Sequence, residues 1–134
     1  MKKIKWISEP VVHAIHNRQI AEHGGLAGVR DENLLKSALN NPLNRYHYSE
    51  DPKPTAVMLA ANYAYSICKN HPFLDANKRT ALVVCELFLV LNELIVLADP
   101  LEKYQTYIQL AAGELSEAEF CDWLDKVSDD FESK

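Results

Sequence analysis

The longest apolar run of this sequence covers residues 81–98, and its only charged or amide side chains are those of Glu86, Asn92 and Glu93. A helix that crosses a bilayer needs about 20 predominantly apolar residues, and no anchoring pattern flanks this run. Its first part therefore predicts a core helix at residues 78–92. Because this helix is apolar on all sides, it belongs in the middle of a folded domain.

The rest of the sequence predicts further helices joined by short loops, because only four glycines occur and strand-like alternation is scarce. A glycine pair ends the first helix, Pro42 stops the second, and Ser116 opens the last as part of a capping box. The expected fold is an all-α, compact single-domain bundle of about six helices over residues 1–134. The predicted elements are helices at 8–23, 31–41, 54–69, 78–92, 100–113 and 116–127, a loop at 44–54 and an extended piece at 94–97.

Charge and cysteine usage narrow the classes of function. The net charge of -5 and the pI of about 5.5 argue against a dedicated nucleic-acid binder, which usually carries a basic surface. The three cysteines lie among apolar residues without metal-ligand spacing, which predicts reduced thiols in a cytoplasmic protein. The basic residues at 1–6 are not followed by the apolar core of a signal peptide. We expect a cytoplasmic protein that contacts neither nucleic acid nor membrane directly.

The segment His71-Pro72-Phe73-Leu74-Asp75-Ala76-Asn77-Lys78-Arg79, here called the motif loop, carries most of the reactive chemistry. It leads into the apolar helix, whose N-terminus presents free N–H groups and a partial positive charge. Lys78 and Arg79 lie in that first turn, where cations oppose the helix dipole. A bound anion, most simply a phosphate, would resolve this conflict.

Two other side chains of the motif loop suit phosphate chemistry. Asp75 can supply the oxygen ligand that Mg²⁺ prefers. His71 carries an imidazole, a side chain that suits a general base for a hydroxyl nucleophile. Simpler roles stay open, since Asp75 could only cap the helix and the two cations could only be surface charges.

Three residues outside the motif loop carry weaker predictions. His13 and His16 lie about one helical turn apart, but the sequence shows no carboxylate or cysteine partner, so no metal site is predicted there. Glu86 lies on the apolar helix, and because a lone buried carboxylate is costly we expect it to pair with a cation.

The motif loop resembles the Fic-family motif H-x-F-x-(D/E)-G-N-(G/K)-R. The matching residues are His71, Phe73, Asp75, Asn77 and Arg79. Two positions depart from the wider family, since Ala76 and Lys78 stand where glycines are common. The sequence A-N-K-R followed by T-A-L is similar to the Doc, or death-on-curing, branch. The upstream residues 24–31, Gly-Gly-Leu-Ala-Gly-Val-Arg-Asp, also resemble that branch.

The resemblance implies a role for each matching position. His71 would take the proton from the target hydroxyl, and Asp75 would bind Mg²⁺. Ala76, Asn77 and Lys78 would form an anion hole for the phosphates of ATP, with Lys78 and Arg79 neutralising charge. The catalytic set is then His71, Asp75, Lys78 and Arg79.

The Doc branch further implies a toxin that transfers the γ-phosphate of ATP to a hydroxyl of a bacterial protein, elongation factor Tu, and halts translation. The self-inhibitory pattern (S/T)-x-x-x-E-(G/N) of many Fic proteins is missing from the sequence, which favours a separate, Phd-like antitoxin protein. Two alternatives stay open: transfer of AMP, as in most Fic enzymes, and a degenerate module that only binds a partner.

Overall fold

Six α-helices and two short strands make up the part of the chain that the computed structural model describes, residues 3–131. The predicted all-α fold is confirmed, while both ends of the predicted 1–134 domain lie outside the described residues. The elements are α1 Glu9–His23, α2 Glu32–Tyr48, α3 Ala56–Asn70, α4 Asn77–Leu91, β1 Leu94–Val96, α5 Pro100–Ala111, α6 Glu117–Val127 and β2 Ser128–Asp130.

Helices α3 and α4 pack together at the centre of the bundle, and α3 also packs against α2, α5 and α6. The small side chains of Ala60, Ala61 and Ala64 are fully buried and permit this close approach. The prediction that α4 is buried on all sides is only partly right. Its face with Val83 and Leu87 is half-buried and Val90 is exposed, because no helix of the described chain covers that side completely, and α3 is the more enclosed helix.

The prediction that α2 stops before Pro42 is wrong, because the helix continues through Pro42 to Tyr48. A proline inside a helix removes one backbone hydrogen bond and costs about 3 kcal/mol or more. Here Pro42 is buried in phase with Leu35, Ala38 and Leu39, so packing against the core offsets that cost. The predicted loop at 44–54 accordingly begins only after Tyr48.

The remaining predictions at the C-terminal end hold. Ser116 and Glu119 form the expected capping box of α6. The extended piece after α4 is β1, which pairs antiparallel with β2, a strand that the sequence did not predict. Glu86 pairs with Lys103 of α5 at 3.1 Å, which confirms the expected cation partner and ties α5 to α4.

The cysteines are free, as predicted: Cys85 is buried, while Cys68 and Cys121 are half-buried. Within residues 3–131, no helix combines the length and the apolar character that crossing a membrane requires.

Candidate active site

The motif loop joins the end of α3 to the start of α4 through two residues with left-handed backbone. His71 ends α3 with φ 50°, and Ala76 precedes α4 with φ 63° and ψ 28°. The residue that caps α4 is Ala76, without a side-chain hydrogen bond, so Asp75 is not the helix cap that the simpler interpretation required.

Phe73 and Asn77 anchor the motif loop to the core. Phe73 is fully buried, which stabilises the fold by about 1.5–3 kcal/mol relative to an exposed ring. The side chain of Asn77 accepts from the Phe73 N–H and donates to the Phe73 carbonyl, both at 3.0 Å. The side chain of Asn77 is thus engaged in holding the loop, whereas its backbone N–H remains at the helix N-terminus.

Residues 24–31, here called the glycine segment, run beside the motif loop. The N–H of Leu74 donates to the carbonyl of Gly28 at 3.1 Å, and the N–H groups of Arg30 and Asp31 donate to the carbonyl of Pro72 at 2.6 and 3.1 Å. The segment that the sequence connected to the site only by family resemblance is therefore its direct neighbour.

Arg30 fixes the end of α3 from the glycine segment. Its Nε donates to the His71 carbonyl at 2.6 Å and its Nη2 to the Asn70 carbonyl at 2.9 Å. A cation at a helix C-terminus meets the partial negative charge of the dipole. Arg30 was not predicted as a site residue, and nothing in the local sequence pattern points to this long-range contact.

The carboxylate of Asp75 accepts two backbone hydrogen bonds, from Ala76 to Oδ1 at 2.8 Å and from Leu26 to Oδ2 at 3.2 Å. These bonds, with Arg79 nearby, lower the pKa of Asp75. At pH values above its ordinary pKa of 3.8, the ionised carboxylate therefore stabilises the folded loop. This stabilisation is lost as the pH falls through the lower pKa of the folded state. Gly25 has φ 118°, which side chains rarely adopt, and a Cβ there would lie 2.6 Å from Oδ2 and displace the carboxylate, so this position favours glycine.

A pocket of about 570 Å³ opens between the motif loop and α5. All the predicted site residues line it, and so does one face of α5, a helix for which the sequence pattern predicted no role in the site. Tyr104 and Ile108 of that face are 52% and 36% exposed, which distinguishes them from core residues. The lining residues are Cys68, His71, residues 74–79, Leu82, Tyr104, Tyr107, Ile108, Ala111 and Ala112.

Burial raises the pKa of the Cys68 thiol to about 12, so this cysteine is not a thiolate nucleophile.

Positive charge gathers at the mouth of this pocket. Lys78 and Arg79 line it, and neither forms an ion pair with a carboxylate of residues 3–131. Arg79 instead donates to the carbonyl of Gly24 at 3.2 Å. The backbone N–H groups of residues 77–79 have no acceptor within the described chain, while that of Ala76 is taken by Asp75. Free amides beside cations that have no carboxylate partner are chemically suited to bind an anion.

The rings of His13 and His16 both lie beside that of Phe73, but their polar partners differ. The Nε2 atom of His13 lies 3.3 Å from a carboxylate oxygen of Glu9 and 3.9 Å from one of Glu32. These are the carboxylate partners that the sequence pattern did not reveal. The ligand atoms of these three residues lie within 4.8 Å of one another. His16 is buried, and its Nε2 lies within hydrogen-bond distance of the Asp75 carbonyl in the motif loop.

We expect Ala76→Gly to raise the free energy of unfolding by up to about 1 kcal/mol, because glycine adopts the left-handed conformation without the strain that alanine incurs. Urea unfolding of the two proteins measures the difference. The matched control is Ala14→Gly in the exposed middle of α1, which should lower stability by about 0.5–1 kcal/mol. A loss of stability at both positions would contradict the strain at Ala76.

Sequence comparison relates this chain to one family of known proteins. A sequence model described as the Fic/DOC family matches residues 6–89. The chain is 32% identical to "Protein kinase doc" of Escherichia phage P1 over an alignment of 124 residues, which covers 92% of this chain and 96% of that protein. It is 37% identical over 76 residues to "Toxin Doc" of Mycolicibacterium smegmatis, which covers 57% of this chain and 58% of that protein.

Proposed function

This chain belongs to the Fic/Doc family and is a Doc-type toxin, and on that basis we propose that it is a protein phosphotransferase that uses ATP. The observation that carries the proposal is the anion site of the pocket, where the unpaired Lys78 and the free N–H groups of residues 77–79 converge. The name of the phage relative, a protein kinase, supports the same chemistry.

The proposed reaction moves the γ-phosphoryl group of ATP to a hydroxyl of a protein substrate. His71 accepts the hydroxyl proton while the oxygen forms a bond to the γ-phosphorus, and the bond between that phosphorus and the β–γ bridging oxygen breaks to release ADP. Lys78 and Arg79 neutralise the charge that spreads over the phosphoryl oxygens. Phosphoryl transfer depends mainly on such positioning and electrostatic stabilisation.

Asp75 is the residue we assign to Mg²⁺. It is the one carboxylate among the described residues that line the pocket, and Mg²⁺ is commonly held by one or two carboxylates together with substrate phosphates. Both carboxylate oxygens accept an N–H, yet each has a further lone pair and the side chain is exposed. The donor set fits Mg²⁺, which when bound would screen the charge of the phosphates.

The family supports a proposal for the biological setting. A toxin of this kind implies an antitoxin, which we propose to be a separate, Phd-like protein. Elongation factor Tu is the proposed substrate and arrest of translation the proposed effect, in the cytoplasm of a bacterial cell.

Transfer of label from ATP tests the proposal directly. The protein is incubated with purified elongation factor Tu, and separately with a bacterial lysate, using γ-labelled and α-labelled ATP. Label from the γ position alone is the expected result. Label from the α position would overturn the proposal in favour of AMP transfer, and label from neither would leave a module that only binds a partner.

Asp75→Asn should abolish the contribution of Mg²⁺ to ATP affinity, since the amide offers one neutral oxygen in place of a carboxylate. Titration calorimetry with and without Mg²⁺ measures that contribution. The variant should also be less stable at neutral pH, because the amide NH₂ group cannot accept from Leu26 or Ala76, and the difference should shrink as the pH falls below the ordinary pKa of 3.8.

The matched control for this variant is Asp125→Asn in the exposed part of α6, which should leave both quantities unchanged. An Asp75→Asn protein that keeps the full effect of Mg²⁺ on ATP binding would show that Asp75 only holds the loop.

A further inference from the structure

His16 is a polar residue in a buried position beneath the motif loop. It is 2% exposed and shares the buried face of α1 with Val12. Its ring stacks on that of Phe73, with centroids 3.8 Å apart and planes 8° from parallel. An aliphatic side chain would fill such a place without the cost of burying ring nitrogens.

The polar contact of His16 is with the backbone of Asp75. Its Nε2 lies 2.9 Å from the Asp75 carbonyl oxygen. A carbonyl can only accept, so Nε2 carries the hydrogen and donates it. This bond joins residues that are 59 positions apart in the sequence, and it excludes water because the ring is buried.

The carbonyl that His16 holds belongs to the peptide next to the strained residue of the loop. Ala76 has φ 63°, a conformation that alanine disfavours, at a position where the family pattern has glycine. Turning the Asp75–Ala76 peptide over by about 180° would return φ of Ala76 to the negative values that alanine prefers. The flip would also exchange the directions of the carbonyl and the Ala76 N–H.

Such a flip would disable the site. The Ala76 N–H would leave Oδ1 of Asp75, and the Asp75 carbonyl oxygen would take its place beside the negatively charged carboxylate. Asp75 would lose one of its two backbone donors and shift its position in the pocket. The hydrogen bond from His16 opposes this flip from the buried side.

We propose that His16 is a positioning residue, which holds the Asp75–Ala76 peptide in the orientation that the site requires and so allows an alanine to occupy the left-handed position of the motif loop. The catalytic part of this inference rests on the proposed phosphotransfer. The structural part, that His16 maintains the positive φ of Ala76, does not.

Two substitutions separate the functions of the His16 ring. His16→Phe keeps the stacking on Phe73 and removes the donor, whereas His16→Gln keeps a donor at similar reach and removes the ring. We expect His16→Phe to lower kcat for phosphate transfer by about 10- to 100-fold, measured well below its melting temperature. His16→Gln should stay within about threefold of the wild type, because the hydrogen bond and not the ring carries the effect.

Glycine at position 76 provides the decisive comparison. In the His16→Phe, Ala76→Gly double variant the left-handed conformation carries no strain, so most of the lost kcat should return. The control is Ala14→Gly combined with His16→Phe, which should restore nothing. A double variant as slow as His16→Phe alone, or a His16→Gln protein as slow as His16→Phe, would overturn the proposal.

Nuclear magnetic resonance tests the structural part without any activity. A positive φ brings the Ala76 amide proton close to its own α-proton, which gives a strong cross-peak between them. We expect this cross-peak in the wild type and in His16→Gln, and a weak one in His16→Phe. A strong cross-peak in His16→Phe would overturn the proposal even where phosphate transfer is established, and absence of label transfer in the wild type would overturn only the proposed function.

If His16→Phe does not fold, the position of the hydrogen on the His16 ring of the wild-type protein tests the proposal. The ring ¹⁵N shifts of His16 distinguish the two neutral tautomers, and the proposal requires the hydrogen on Nε2. A wild-type ring with its hydrogen on Nδ1 would overturn it.

Discussion

Replacing His71 with alanine is expected to lower the rate of phosphate transfer by about 100- to 10,000-fold, the usual effect of removing a general base. His71 lines the pocket beside Asp75 and Lys78, and its side chain is exposed rather than packed in the core. The melting temperature should therefore fall only by the small cost of placing alanine in the left-handed backbone of this position. Initial rates with γ-labelled ATP measure the loss.

The left-handed backbone of His71 calls for a second variant. Alanine is strained at φ 50°, whereas asparagine tolerates this conformation. His71→Asn should lose as much activity as His71→Ala while keeping the loop geometry. The control is His47→Ala, which should be fully active because His47 is exposed and does not line the pocket. An active His71→Asn protein would remove His71 from the mechanism and leave it a role at the end of α3.

Lys78→Gly is the second substitution for which we expect a large effect, a loss of about 100-fold or more in the turnover of phosphate transfer. Removing one preorganised group that stabilises transition-state charge typically costs this much. Lys78 lies in the first turn of α4, lines the pocket and has no ion-pair partner in residues 3–131, so its charge is available to a phosphate. Glycine would also widen the anion site, which favours a gain of weak AMP transfer.

Mass spectrometry of elongation factor Tu after incubation with each protein distinguishes added phosphate from added AMP. Lys78→Ala removes the charge without the flexibility of glycine, so a similar loss in both variants would assign the effect to the cation. Lys69→Ala is the control, since Lys69 lies over the ring of Tyr65 and does not line the pocket. Equal phosphate transfer by wild type and Lys78→Gly would mean that Lys78 does not select the chemistry.

Since the described pocket is open to solvent beside the exposed His71 and Asp75, we expect the wild-type protein to be active without a partner and toxic when expressed alone. Co-expression with the proposed antitoxin would then provide the active proteins for the measurements above.

The sequence by itself determined the helical fold and the loop that carries the candidate site. Helix ends follow from short-range chemistry, such as the capping box at Ser116 or the glycine at position 24, and these are visible within a few residues. The motif loop is also contiguous, so the residue types of a base, a carboxylate and two cations could be recognised together before any contact was known.

Only the tertiary structure decided how that loop is held and what completes the pocket. Pro42 continues its helix because burial against the core outweighs a local preference. Arg30 reaches His71 across 41 residues, and His16 reaches Asp75 across 59. Tyr104 of α5 lines the pocket because α5 packs against α3 and α4 through its buried residues Tyr107 and Leu110. These contacts depend on how separate helices pack, and no local pattern records which side chains will meet.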